Sequence, residues 1–141
     1  MTVVDDSGRL GEWRDASVAF GGGVLIVIGA LLPWMSLLAG LERYPGVAGL
    51  NGRLVLAAGA LSVAGGVMLR VRPNHRFRIG VGALGAALLV FTCWILLGLR
   101  SATRELGHHP FLLARPGPGL FVVLAGASTV VTLLLPNRKR T

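Results

Sequence analysis

The sequence predicts an all-α membrane protein, a four-transmembrane-helix bundle with both termini on the cytoplasmic side. Three observations carry that reading. The 141 residues are 53% hydrophobic and only 14% charged, whereas a soluble domain carries about a quarter charged residues. The apolar residues gather into four charge-free runs. The basic residues, fourteen against six acidic for a formal charge of +8, concentrate on one side of those runs. A mean hydropathy of +0.70 excludes a disordered or collagenous chain, and the single cysteine excludes an intrachain disulfide and a Cys-x-x-Cys redox pair. In so apolar a chain the basic excess reads as membrane orientation and attraction to anionic headgroups, not as nucleic-acid binding.

A helix needs about 20 residues to cross roughly 30 Å of hydrocarbon, with 17 at the short end. The charge-free runs at 18–35, 54–69, 79–99 and 119–135 meet that requirement, the second as a span over 53–69 with Arg53 at its edge. The third does so outright, the first and fourth are short but adequate, and the second crosses when Leu50 to Arg53 lie at the interface. None alternates polar and apolar residues as barrel strands do, and hydrocarbon leaves closed helices as the other solution. Segment 1–17 is expected on the cytoplasmic side, 36–52 and 100–118 as outer loops, 70–78 as a cytoplasmic loop and 136–141 as a cytoplasmic tail. The inner segments hold Arg9 and Arg14, then Arg70, Arg72, Arg76 and Arg78, then Arg138, Lys139 and Arg140, nine of the fourteen basic residues. Arg43, Arg53, Arg100, Arg104 and Arg115 fall on the outer side. Asp5, Asp6, Glu12 and Asp15 outnumber the two N-terminal arginines, but acids weigh little in this rule. That acidic start lacks the basic n-region of a cleavable signal peptide.

Trp13 and Trp34 lie 21 residues apart, about 31 Å along a helix, which suits two interfacial aromatic belts, and Trp94 is expected level with Trp34. The first outer loop is unusually apolar, with Leu37, Leu38, Leu41, Val47 and Leu50. Either the first helix continues past Trp34 and lies along the interface, or the loop is covered. Phe111-Leu112-Leu113 gives the third loop a similar apolar patch. A shift of 67 positions pairs Gly52, Val55, Ala58, Gly59, Ala60 and Val63 with Gly119, Val122, Ala125, Gly126, Ala127 and Val130, six identities in 12 residues. Two tandem two-helix hairpin repeats would produce this, and so would chance in a biased composition.

The first run ends Leu31-Leu32-Pro33-Trp34, followed by a loop and a glycine-led second helix. In this the chain resembles small four-helix integral membrane proteins of unknown function from high-GC actinobacteria, over mainly residues 20–70. The resemblance implies a four-helix membrane fold in a bacterial cytoplasmic membrane and carries over no catalytic residue.

Small residues recur every four positions at Ala58, Ser62 and Gly66, at Gly82 and Ala86, and at Ala125 and Thr129. Such faces let helices approach closely in lipid, where packing drives association. They serve either this bundle or another protein's helix. Gly80-Val81-Gly82-Ala83-Leu84-Gly85 matches G-x-G-x-x-G, but a dinucleotide site needs a strand before the turn, and a basic loop precedes this one. No ionisable residue falls inside the four runs, which disfavours a proton-coupled exporter. The polar residues within them, Ser62, Thr92, Cys93, Ser128, Thr129 and Thr132, can bond their own helix backbone. His75, His108 and His109 lie in loops, so haem ligation inside the bundle is disfavoured. His108 and His109 with Glu105 are better read as a solvated loop end than a metal cluster. No catalytic, cofactor or metal site is expected.

Two functions follow. The first is a non-catalytic accessory subunit or scaffold of a larger membrane complex, with other integral membrane proteins as partners. The second is a membrane protein binding or transporting a lipid or hydrophobic small molecule at an outer mouth formed by Trp34, Trp94 and Arg100. Anionic headgroups are expected at Arg70, Arg72, Arg76, Arg78, Arg138, Lys139 and Arg140.

Overall fold

The computed structural model describes residues 6–37, 42–72, 74–105 and 115–135. Four helices account for most of them: α1 (Asp6–Leu31), α2 (Leu50–Val71), α3 (His75–Glu105) and α4 (Pro118–Val131), the last extended by a 3-10 turn at Thr132–Leu134. Three helical segments, Trp13–Leu31, Leu50–Val71 and His75–Ser101, are long and apolar enough to cross a membrane, while Pro118–Leu134 is a shorter apolar helix. Only 39%, 33% and 28% of the three long windows is buried. Most of their apolar surface therefore faces outward, Phe20, Leu25, Ile28, Leu61, Val90 and Leu97 among it. Water does not tolerate so large an apolar exterior.

Helix ends follow from local chemistry. Arg72 precedes Pro73, whose ring pushes its neighbour out of the helical region. Arg72 accordingly sits at φ −137°, ψ 86° and closes α2. Asn74 then starts α3, its Oδ1 accepting the Arg76 N–H at 3.0 Å, as an asparagine before a helix commonly does. Pro118 opens α4 in the first helical turn, where its missing N–H costs nothing.

The helices form a ring. α1 packs broadly on α2 and α4, α3 closes the ring against α4 and more narrowly α2, and α1 and α3 stand diagonally with little contact. Close approach of α1 to α4 depends on two glycine pairs. A Cβ on Gly126 would lie 2.7 Å from the Gly22 carbonyl oxygen, and one on Gly119 2.7 Å from that of Gly29. Both pairs are seven residues apart on each helix, so they recur after two turns at the same azimuth. On the opposite flank a Cβ on Gly23 would meet the Val63 amide at 2.7 Å and one on Gly66 the Phe20 amide at 2.6 Å. Ile26, Val55, Leu120, Val123 and Val130 fill the core between these contacts.

The loops contain a small sheet absent from the sequence expectation. Its strands are β1 (Pro33–Leu37), β2 (Glu42–Pro45) and β3 (Arg115–Pro116), in the order β2-β1-β3 with both pairings antiparallel. Ser36 stands opposite both Arg43 and Arg115. A 3-10 turn at Gly46–Ala48 leads from β2 into α2. Instead of continuing past Trp34 along an interface, α1 stops at Leu31, because Pro33 has no N–H to extend the ladder.

One pair of repeat positions does not play matching parts in the two hairpins. Gly59 and Gly126, equivalent under the shift, both press on α1 near Ile26, one from α2 and the other from α4.

Candidate functional site

Three places combine polar groups or exposed apolar surface: the corner at Pro33-Trp34, the outward face of α3, and the arginine-rich end of the bundle.

At the corner, the Gly29 carbonyl would receive the amide of residue 33 in a continuing helix, and Pro33 cannot supply it. The Trp34 indole takes that place, Nε1 donating to the Gly29 oxygen at 2.9 Å. Trp34 is 8% exposed and lies against Gly46 and Gly119, where a Cβ would collide with its ring. The Gly46 amide donates to the Leu32 carbonyl at 3.2 Å and the Gly117 amide to the Trp34 carbonyl at 2.7 Å. Two distant loops are thus keyed to one corner. Trp34 is consequently a buried keystone and not the expected surface anchor. A buried indole needs a partner for its N–H, and the proline beside it creates one.

Trp13 and Trp94 are exposed, at 58% and 68%. Trp94 stands six residues before Arg100 in a helix that runs on to Glu105, about 9 Å inside that arginine. It therefore belongs to the face of α3, not to its end. Since Trp34 is enclosed and Trp94 points outward beside Phe91, with ring centroids 6.3 Å apart, the two do not line one mouth.

The small-residue faces divide. Ser62 and Gly66 are buried and Ala58 half-buried, and Gly66 faces α1. Gly82 is buried against Leu134, with Ala86 half-buried beside it in sequence. Ala125 is exposed and Thr129 half-buried, so α4 packs instead through Gly119, Gly126 and Ala127, one position round the helix. Gly22, Gly23 and Gly29 escaped the sequence reading. Their signal was the seven-residue spacing shared by Gly22/Gly29 and Gly119/Gly126.

Gly80, Ala83, Ala87, Val90, Trp94, Leu97 and Ser101 on α3 are all exposed. Their separations alternate three and four, the 3.5-residue repeat of a helix–helix seam. Small residues occupy the first half and bulky ones follow at Val90, Trp94 and Leu97, with Ser101 at the end. At their junction Ala86, Ala87, Val90, Phe91 and Trp94 line an open apolar cleft of about 500 Å³.

At the arginine end the candidate spans run past the charge-free stretches of the sequence and take in charged residues at their edges. Asp15 on α1 and Arg78 on α3 form an ion pair of 3.1 Å, with side chains 24% and 16% exposed. Pairing lets both sit at the rim of the hydrocarbon. Arg78 is therefore committed to Asp15 and is not a free headgroup contact, while Arg70, Arg72 and Arg76 are exposed. Arg70 lies over the Trp13 ring, 4.2 Å from its centroid. Asp15→Asn is expected to lower stability by about 1–2 kcal/mol, between the value of an exposed pair and that of a buried one. Thermal unfolding in detergent measures this, with Arg72→Gln as the unaffected control.

Hydroxyls in the spans are used up locally. Ser62 donates to the Ala58 carbonyl at 3.0 Å, Thr92 to Leu88 at 2.7 Å, Ser128 to Leu124 and Thr129 to Ala125 at 2.8 Å, and Thr132 to Thr129 at 2.7 Å. None is poised against a base, and Cys93 is a half-buried free thiol. His108, His109, the Phe111-Leu112-Leu113 patch, Arg138, Lys139 and Arg140 lie outside the described residues. No family model, curated protein or solved structure matches the chain.

Proposed function

We propose that the chain is a non-catalytic integral membrane subunit that docks α3 against a transmembrane helix of a larger complex. It crosses a bacterial cytoplasmic membrane four times with both termini inside, as the distribution of basic residues implies. The exposed seam on α3 is the observation that carries the reading. Gly80, Ala83 and Ala87 form a low shelf, and Val90, Trp94 and Leu97 a raised half. Small residues on a lipid-facing helix permit the close backbone approach by which transmembrane helices associate. The glycines of α2 and α4 are spent inside the bundle, while Ala57, Ala60 and Ala64 leave a shorter exposed small-residue face on α2.

Ala87→Trp fills the cleft from the exposed side without touching the core. It is expected to abolish co-purification of a stoichiometric membrane partner in mild detergent, while the thermal midpoint of the isolated chain stays unchanged. A wild-type chain that purifies alone, or a variant that retains the partner, would count against the reading.

A second reading, a lipid-binding membrane protein, is favoured by the arginine end of the bundle, where a cationic side chain stands beside apolar ones in a cleft.

A further inference from the structure

Between α1 and α2 at the arginine end lies a cleft of about 160 Å³. Trp13, Ala16, Ser17, Phe20, Gly66, Val67 and Arg70 line it, and the Ser17 hydroxyl is already bonded to the Trp13 carbonyl. The cleft follows from the sequence. Ala16 and Gly66 are small, and α2 comes close enough to α1 that a Cβ on Gly66 would press on the Phe20 amide and the Ala16 carbonyl. The larger residues to either side stand proud and leave a furrow.

The furrow sets apolar side chains, Phe20 and Val67, beside one cationic side chain, Arg70. From Trp13 to Phe20 it descends seven residues, about 10 Å along α1 toward the middle of the span. Phe20 and Val67 are exposed at 47% and 51% and would border whatever lies there. The Arg70 guanidinium lies over the Trp13 ring, its Cζ 4.2 Å from the centroid, and a guanidinium offers a fork of N–H donors that suits a phosphate. Asp15, an acid on the same stretch of α1, is paired with Arg78 of α3. Arg72, two residues on from Arg70, is exposed but does not line the furrow.

We propose that this cleft holds one anionic phospholipid, its phosphate on the Arg70 guanidinium and an acyl chain along Phe20 and Val67. The proposal rests on the lipid-binding reading and gives it a site and a lipid class. Charge complementarity selects the anionic headgroup. The apolar side chains select a chain-bearing lipid over a soluble phosphate.

The test places the full chain in phosphatidylcholine nanodiscs containing a minor fraction of phosphatidylglycerol, with bromine on the acyl chains of one lipid or the other. The Trp13 contribution is the difference in quenching between wild type and Trp13→Phe. Brominated phosphatidylglycerol is expected to quench Trp13 more than brominated phosphatidylcholine at the same fraction. Arg70→Gln should reduce that preference about fivefold, the share of one basic residue near an anionic headgroup, and Arg72→Gln should leave it near the wild-type value. Val67→Phe fills the furrow without changing any charge and should also remove the preference. Equal quenching by the two lipids, equal losses from Arg70→Gln and Arg72→Gln, or an intact preference in Val67→Phe would each overturn the proposal. Failure of the membrane reading would show differently, as a chain that does not enter the nanodisc.

Discussion

Gly126→Leu is expected to destabilise the bundle by about 3 kcal/mol or more, at the upper end of what overpacking costs. The new side chain would begin 2.7 Å from the Gly22 carbonyl oxygen and 3.0 Å from the Ile26 amide. Backbone cannot step aside as a flexible side chain can, so α4 must separate from α1. Separation also removes the Gly119–Gly29 contact one heptad away, and it loosens Trp34, which lies against Gly119. Ala125→Leu is the sharp control. Ala125 is exposed, and a surface change of this kind shifts stability by only about 0.5 kcal/mol. Unfolding in detergent, followed by thermal midpoint or by titration with a denaturing detergent, should therefore show a large loss at position 126 and almost none at 125. Equal effects at both positions would mean that α4 does not meet α1 through its glycines.

Trp34→Ala is the second large effect, expected at about 3–5 kcal/mol, the cost of deleting a buried tryptophan side chain. Trp34→Phe separates packing from hydrogen bonding. The phenyl ring keeps most of the volume but leaves the Gly29 carbonyl without a donor, which costs about 1–3 kcal/mol. Both losses should be felt locally. The Gly46 and Gly117 amides, bonded to Leu32 and Trp34 carbonyls, should exchange with solvent faster in either variant, and faster in the alanine variant. Unchanged exchange at these two amides in Trp34→Ala would show that the loops are held by something other than the indole corner.

The helices were legible because hydropathy reports directly on the length of apolar runs. Their ends were less so. Hydropathy marks where a helix becomes polar, and helix continues through Arg9, Glu12 and Arg14 on α1 and through Arg100 on α3, charged residues that are good helix formers. Packing faces were partly hidden for a geometric reason. Gly21, Gly22 and Gly23 are consecutive, and successive residues turn by about 100° around a helix, so the run marks three directions at once. Only the structure shows Gly22 turned to α4, Gly23 to α2 and Gly21 to neither. Counting small residues every four positions found Ser62 and Gly66 but chose Ala125 over Gly126, because the α4 seam repeats every seven.

The site's polar contacts were beyond linear reading. Asp15 and Arg78 are 63 positions apart, and the Trp34–Gly29 bond needs a carbonyl freed by the intervening proline. The strands were missed because two of them are short, β3 only two residues, and β3 pairs with β1 across a long sequence separation, Met35 opposite Pro116. Pro33-Trp34, noted in the sequence as a helix end, turns out to carry a specific physical task. The exposed seam on α3 could have been found from its alternating spacing, but spacing alone does not say which side of a helix its neighbours leave open.

Site-specific photocrosslinking along α3 tests the central claim most directly. A benzophenone side chain would replace Val90, Trp94 or Leu97 on the seam, or Leu61 on the exposed face of α2, in cells expressing the full chain. The proposal predicts one discrete protein adduct of constant size from all three seam positions and only lipid products from Leu61. Lipid products alone from the seam, or the same adducts from Leu61 as from Val90, would contradict it.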